Sequence, residues 1–187
     1  MSKLPNLPYK QLDKNNKDRS VCMNLADQLR VLSKITINLL VKKEFIRANK
    51  DLDKMAEIFK TLKKNVANNP YLYSVAAIDA GIEEYLEAIF LLSYLNNKTL
   101  PSISALGVAP EVYLGGLSDM TGELVRLARY NAKDAQSIHD YVSQIYELTI
   151  PISITRNSGL RTKLETIGGN LNKLEGILYD LRLRDKI

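Results

Sequence analysis

The chain holds one cysteine, Cys22, and one histidine, His139, in 187 residues. A lone thiol forms no intrachain disulfide, and a structural zinc site needs several Cys or His ligands. Catalytic pairs of the Ser-His or Cys-His kind have only His139 to draw on. A surface or core-edge histidine is the simpler account of that residue. Proline and glycine are also scarce, six and nine in number, beside 45% apolar residues. That balance belongs to a globular chain and not to a disordered one. No apolar run is long enough to span a bilayer. The opening stretch MSKLPNLPYKQLDKNNKD lacks the apolar core of a secretory signal. The expectation is a cytoplasmic protein with no membrane partner. Its chemistry then rests on carboxylates, lysines, tyrosines or a bound cation.

Helical periodicity runs through the whole sequence, and no strand-like alternation is sustained. The spacing predicts a first helix over 18–48, with Val21, Leu25, Leu29, Leu32, Ile35 and Leu39 inward, and a second over 51–67. Asn69-Pro70 ends the second. A third, over 71–96, is apolar almost all round, as a central bundle helix is. Pro110 suits the first turn of a fourth helix reaching Tyr130. A fifth covers 134–150, and a last stretch runs to Arg184 with a bend or break at Gly168-Gly169. No repeat or linker divides the chain. The fold class expected is all-α, a single-domain bundle of six or seven helices over 1–187, with 1–17 a flexible N-terminal segment.

Two pairs of acids stand out. Glu84 and Glu87 are three apart in the third helix, and Asp119 and Glu123 four apart in the fourth. Those spacings put each pair on one helix side. Glu84 and Glu87 share their strip with Ala77, Ala80, Ala88 and Leu91. Ionised carboxylates in such company cost several kcal/mol unless compensated, roughly as for other buried charges. A divalent cation is one compensator, and Mg²⁺ or Mn²⁺ suits hard oxygen donors. Solvated helix faces also carry acids at these spacings, so both readings stand on the residues alone. Glu83 and Glu111 read as ordinary surface acids. Gly115, Gly116 and Gly122 are poor helix formers, which suggests close packing beside the fourth-helix pair. A di-iron carboxylate bundle needs Glu-x-x-His units; His139 follows Gln136, so that alternative fails.

The formal charge of +5 permits nucleic-acid binding without establishing it. The densest basic stretch, 41–64, includes Lys42, Lys43 and Arg47. Arg126 and Arg129 follow the fourth-helix acids closely, and Arg126 shares their face. Phosphate contacts from these residues would be salt-sensitive and largely indifferent to sequence. Tyr85 and Tyr130 are candidates for stacking on bases, with core packing the more natural role for Tyr85.

The stretch YLGGLSDMTGELVR at 113–126 resembles the signature of the translin family. EYLEA at 84–88 and LNKLEGILYDLRLR at 171–184 are similar to two further family segments. The resemblance covers most of the chain and implies the family's α-helical fold. One branch of that family binds single-stranded DNA and RNA without cutting it. The translin-associated factor X branch carries a magnesium-dependent endoribonuclease site of four carboxylates, which correspond here to Glu84, Glu87, Asp119 and Glu123. The chain looks more like the compact archaeal-type homologues of that second branch. The resemblance thus implies a Mg²⁺ or Mn²⁺ cofactor, a single-stranded RNA substrate with single-stranded DNA as an alternative, and self-association into a homo-oligomer, an octameric shell. Glu123 is the candidate general base. The rival function is non-catalytic single-strand binding.

Overall fold

The computed structural model describes residues 7–155 and 158–184. Among them are seven α-helices and no strand: α1 (Tyr9–Val41), α2 (Phe45–Asn68), α3 (Ala76–Leu95), α4 (Ile103–Leu106), α5 (Pro110–Tyr130), α6 (Ala135–Thr149) and α7 (Ser158–Leu183). No described helix is long and apolar enough to cross a membrane.

The helices pack in the order α2, α1, α3, α5, α7, with α6 closing against α7 and α5. The nearly all-apolar α3 therefore lies in the middle, as its composition predicts. Phe90, Leu86 and Leu91 of α3 are fully buried, together with Leu29 and Leu40 of α1 and Met120 and Leu124 of α5. Each such side chain contributes roughly 1.5–3 kcal/mol through removal from water. Ile167, Leu174 and Leu178 of α7 are buried in the same core, so the last helix completes the monomer.

Some boundaries differ from the sequence reading, each for a local reason. Residues 9–17, expected as a flexible segment, are the first turns of α1; residues 1–6 lie outside the described ones. The Asn69 amide donates to Asn15 (3.1 Å) and Asp18 (2.9 Å) and ties these turns to the end of α2. The expected helix over 18–48 stops at Val41, because Lys43 turns left-handed (φ 62°). Its amide donates to Leu40 O, and that of Glu44 donates to Leu39 O, the paired bonds that close a helix C-terminus. Val21 and Ile35, placed inward by spacing, are exposed. Residues 70–74 form a 3-10 turn ahead of α3. Finally, α7 runs unbroken through Gly168-Gly169. A Cβ on Gly168 would lie 3.0 Å from the Tyr146 ring; this glycine lets α6 approach and does not end the helix.

Candidate functional site: an acidic cavity between four helices

The close approach of α3 and α5 builds the site. A Cβ on Gly116 would sit 2.7 Å from Leu86 Cβ and 3.0 Å from Glu83 O. No larger residue fits, so the two helices touch backbone to backbone at this level. Glu84 and Glu87 leave α3 beside Asp119 and Glu123 of α5, and all four line one cavity of about 530 Å³. α1 adds Lys34 and Ile37 to the wall, and α7 adds Thr166 and Asn170. The structure thus brings together the two acidic pairs that the spacing singles out.

Three of the four acids already have a cationic partner. Lys34 Nζ lies 3.2 Å from Glu84 Oε1. Arg126 Nη1 donates to Glu123 Oε2 at 3.1 Å, and its Nη2 donates to Asn38 Oδ1 at 3.2 Å. Lys163, from α7, donates to Asp119 and lies 3.1 Å from Glu83 Oε2. Ser118 fixes that lysine's backbone by donating its hydroxyl to Lys163 O at 2.6 Å. Burial works against the charge on Lys163, but Asp119 and Glu83 outweigh it and hold its pKa above the usual lysine value.

Glu87 is different. It is 8% exposed and has no ion pair among the described residues. Burial, then the charges of Asp119, Glu123 and Glu84, push its carboxyl up to about 8, against a weaker opposing pull from Lys163. The other three acids of the cavity therefore all act on the one that lacks a counter-charge. In the present rotamers Glu84, Asp119 and Glu123 face their lysine and arginine partners. No group of three or more metal-ligating side chains converges on one point among the described residues.

Sequence reasoning missed Lys163, Lys34 and Glu83. Glu83, read as a surface acid, is half-buried under Gly115 and bridged to Lys163, and burial raises its pKa. Lys163 lies 44 residues from Asp119, so no local pattern links them. Its place one turn before Ile167 in the apolar stripe of α7 was the available hint.

The expected phosphate contacts separate. Arg126 lines the acidic cavity. Lys42 and Lys43 line a second one, of about 660 Å³. Arg47 pairs with Glu44 at 2.8 Å and lines neither cavity, nor does exposed Arg129. Tyr85 is buried against Phe59, with ring centroids 4.7 Å apart, and is closed to any base. Tyr130 is 72% exposed. His139 stands on α6 beside Asp140 and lines neither cavity.

The fold and this cavity define an all-α protein with a carboxylate-lined cleft between packed helices. The Translin family model matches residues 10–185, and the chain belongs to that family. A Translin-associated protein X homolog from Schizosaccharomyces pombe is 26% identical over 207 aligned positions, spanning 96% of this chain and 87% of the relative. The crystal structure of apo-NeC3PO superposes with a TM-score of 0.84 at 26% identity, over 96% of this chain and 98% of that one. AfC3PO superposes at 0.82 with 23% identity, over 94% and 95%. A complex of AfC3PO with duplex RNA superposes at 0.78 with 22% identity, over the same shares. Those last two likenesses speak for the fold.

Proposed function

We propose that this chain is a divalent-cation-dependent endoribonuclease that cleaves single-stranded RNA inside a homo-oligomeric assembly. The observation that carries the reading is the gathering of Glu84, Glu87, Asp119 and Glu123 on one cavity, with Glu87 buried and lacking a counter-charge. Hard carboxylate oxygens are the donors that Mg²⁺ and Mn²⁺ take, and Glu87 is the group such an ion would neutralise. The donor set fits in kind: Glu84, Glu87, Asp119 and Glu123 would hold the ion, with Glu84 and Asp119 giving up their present contacts to Lys34 and Lys163. When bound, the cation supplies positive charge against a phosphate oxygen and a more acidic water.

The chain's own residues do the rest. Arg126, at the cavity rim, attracts the phosphate and orients Glu123 through their hydrogen bond. Glu123 would accept the proton of the water that attacks phosphorus; the phosphorus bond to the leaving ribose oxygen breaks, and that oxygen takes its proton from solvent. Lys34, whose side chain is exposed on α1, adds a second cation on the substrate side. Glu87, whose carboxyl is pushed up to about 8 chiefly by burial, would give up its proton to hold the cation. The similarity to a Translin-associated protein X homolog and to C3PO structures, one of them a complex with duplex RNA, supports RNA as the partner.

The test is a cleavage gel with single-stranded and duplex RNA, run with Mg²⁺, with Mn²⁺ and with EDTA. Glu84→Gln and Asp119→Asn each remove several kcal/mol of transition-state stabilisation, so cleavage falls on the order of 100-fold or more while RNA binding persists. Wild-type cleavage rates in either variant, or undiminished cleavage in EDTA, refute the assignment. A second reading, single-strand binding without cleavage, draws on the pairing of three acids with Lys34, Lys163 and Arg126. Cation-independent RNA binding by a chain that cuts nothing is its signature.

A further inference from the structure

The second cavity lies one helical turn along the same two helices. On α1, Ile37 lines the acidic cavity and Val41 the second; on α5, Arg126 lines the first and Tyr130 the second. Four residues of helix separate each pair, about 6 Å. Arg126 joins the two spaces, since its guanidinium hydrogen-bonds Glu123 and lies 6.0 Å from the Tyr130 ring centre.

The lining of the second cavity has the opposite character to that of the first. Lys42 and Lys43 are exposed on its rim and have no acidic partner among the described residues. The one acid that lines it, Asp134, accepts a hydrogen bond from Asn131 Nδ2 at 2.6 Å. Tyr94 packs against Tyr141 at 4.8 Å and is fixed in the wall, whereas Tyr130 presents its ring to solvent. Lys43 and Asn97, the two non-glycine residues with positive φ among those described, both line this space. Both close a helix, Lys43 ending α1 and Asn97 ending α3, and left-handed backbone is uncommon for a lysine. Here it keeps a cation where glycine is the usual helix terminator.

We propose that this cavity is a subsite for the nucleotide next to the scissile one: its base stacks on Tyr130, and its phosphate meets Lys42 and Lys43. The inference rests on the RNA-cleaving reading of the acidic cavity and extends it to a direction along α1 and α5. An exposed aromatic beside paired lysines is the sequence-tolerant chemistry of single-strand binding. A stacked duplex base offers no free face to Tyr130, so the subsite selects single strands.

The experiment measures fluorescence anisotropy of a labelled single-stranded RNA oligonucleotide in EDTA, where nothing is cut. Tyr130→Ala is expected to weaken binding about tenfold, on the scale of one lost base stack, and Tyr130→Phe to bind like the wild type. Lys42→Ala combined with Lys43→Gly, which keeps the backbone turn, is expected to reduce the salt slope of log K by about 1.4. Duplex RNA binding is expected to be indifferent to Tyr130→Ala. Circular dichroism melts confirm that the variants fold. If Tyr130→Ala binds within twofold of wild type and the lysine variant keeps the full slope, the subsite is overturned while the acidic site stands. If the wild type binds no RNA at all, the RNA reading falls and the subsite with it.

Discussion

Glu87→Gln isolates the charge that the acidic cavity leaves unmatched. The folded protein holds the Glu87 proton far more tightly than the unfolded chain does, with the carboxyl moved from 4.5 to about 8. The proton's contribution to stability is therefore complete below about pH 4.5 and is lost as pH rises through about 8. Each tenfold change in proton affinity is worth about 1.36 kcal/mol, which sets a ceiling of about 5 kcal/mol. Relaxation of the side chain toward water leaves about 2–3 kcal/mol, in line with the effective cost of a buried ion. For a chain of this size that corresponds to about 5–10 °C in Tm. Thermal melts of wild type and Glu87→Gln in EDTA, at half-unit steps from pH 5 to 9.5, supply the assay. The wild type is expected to lose Tm relative to the variant across that range, with the variant the more stable above pH 8. Adding Mg²⁺ at pH 9 is expected to restore the wild type and to leave the variant nearly unmoved. Parallel pH curves for the two proteins refute the reasoning, because they mean that Glu87 is ionised or already neutralised by other means.

Lys163→Met removes the cation between Asp119 and Glu83 beside an already unmatched Glu87. Breaking a fully buried pair costs 3–5 kcal/mol; with the Lys163 side chain one-third exposed, about 2 kcal/mol is expected by denaturant melt, and millimolar Mg²⁺ should recover more in the variant than in the wild type. Gly116→Ala drives a methyl into Leu86 and the Glu83 carbonyl, so a loss of more than about 2 kcal/mol is expected, together with loss of cleavage as the acidic pairs separate. Gly169→Ala meets nothing within 4 Å inside a continuous helix, and a gain of about 1 kcal/mol is expected in the same melts.

The site was legible in the sequence to the extent that its geometry is local. Glu84 with Glu87, and Asp119 with Glu123, face one way by helical spacing alone, and the small residues beside them announced a close neighbour. Gly116 turned out to be that point of contact. The counter-ions were not legible, since Lys34 and Lys163 arrive from helices whose packing depends on the whole bundle. Glu83 reads as a surface acid one residue before Glu84, yet the approach of α5 over Gly115 covers it. The fold class followed from periodicity and the central place of α3 from its apolar surface. The end of α1 was misplaced because Lys43 occupies a position that glycine usually signals. Gly168-Gly169 read as a break because helix propensity alone does not register the Tyr146 ring, packed 3.0 Å from where a Gly168 Cβ would stand.

The central claim is that the acidic cavity holds a divalent cation, and crystals soaked in Mn²⁺ with anomalous diffraction test it most directly. The expected result is a peak within about 2.0–2.3 Å of carboxylate oxygens from both α3 and α5, Glu87 among them, with Lys163 displaced from Asp119. A cavity without manganese, its acids still paired with Lys34, Lys163 and Arg126 at millimolar Mn²⁺, contradicts the claim.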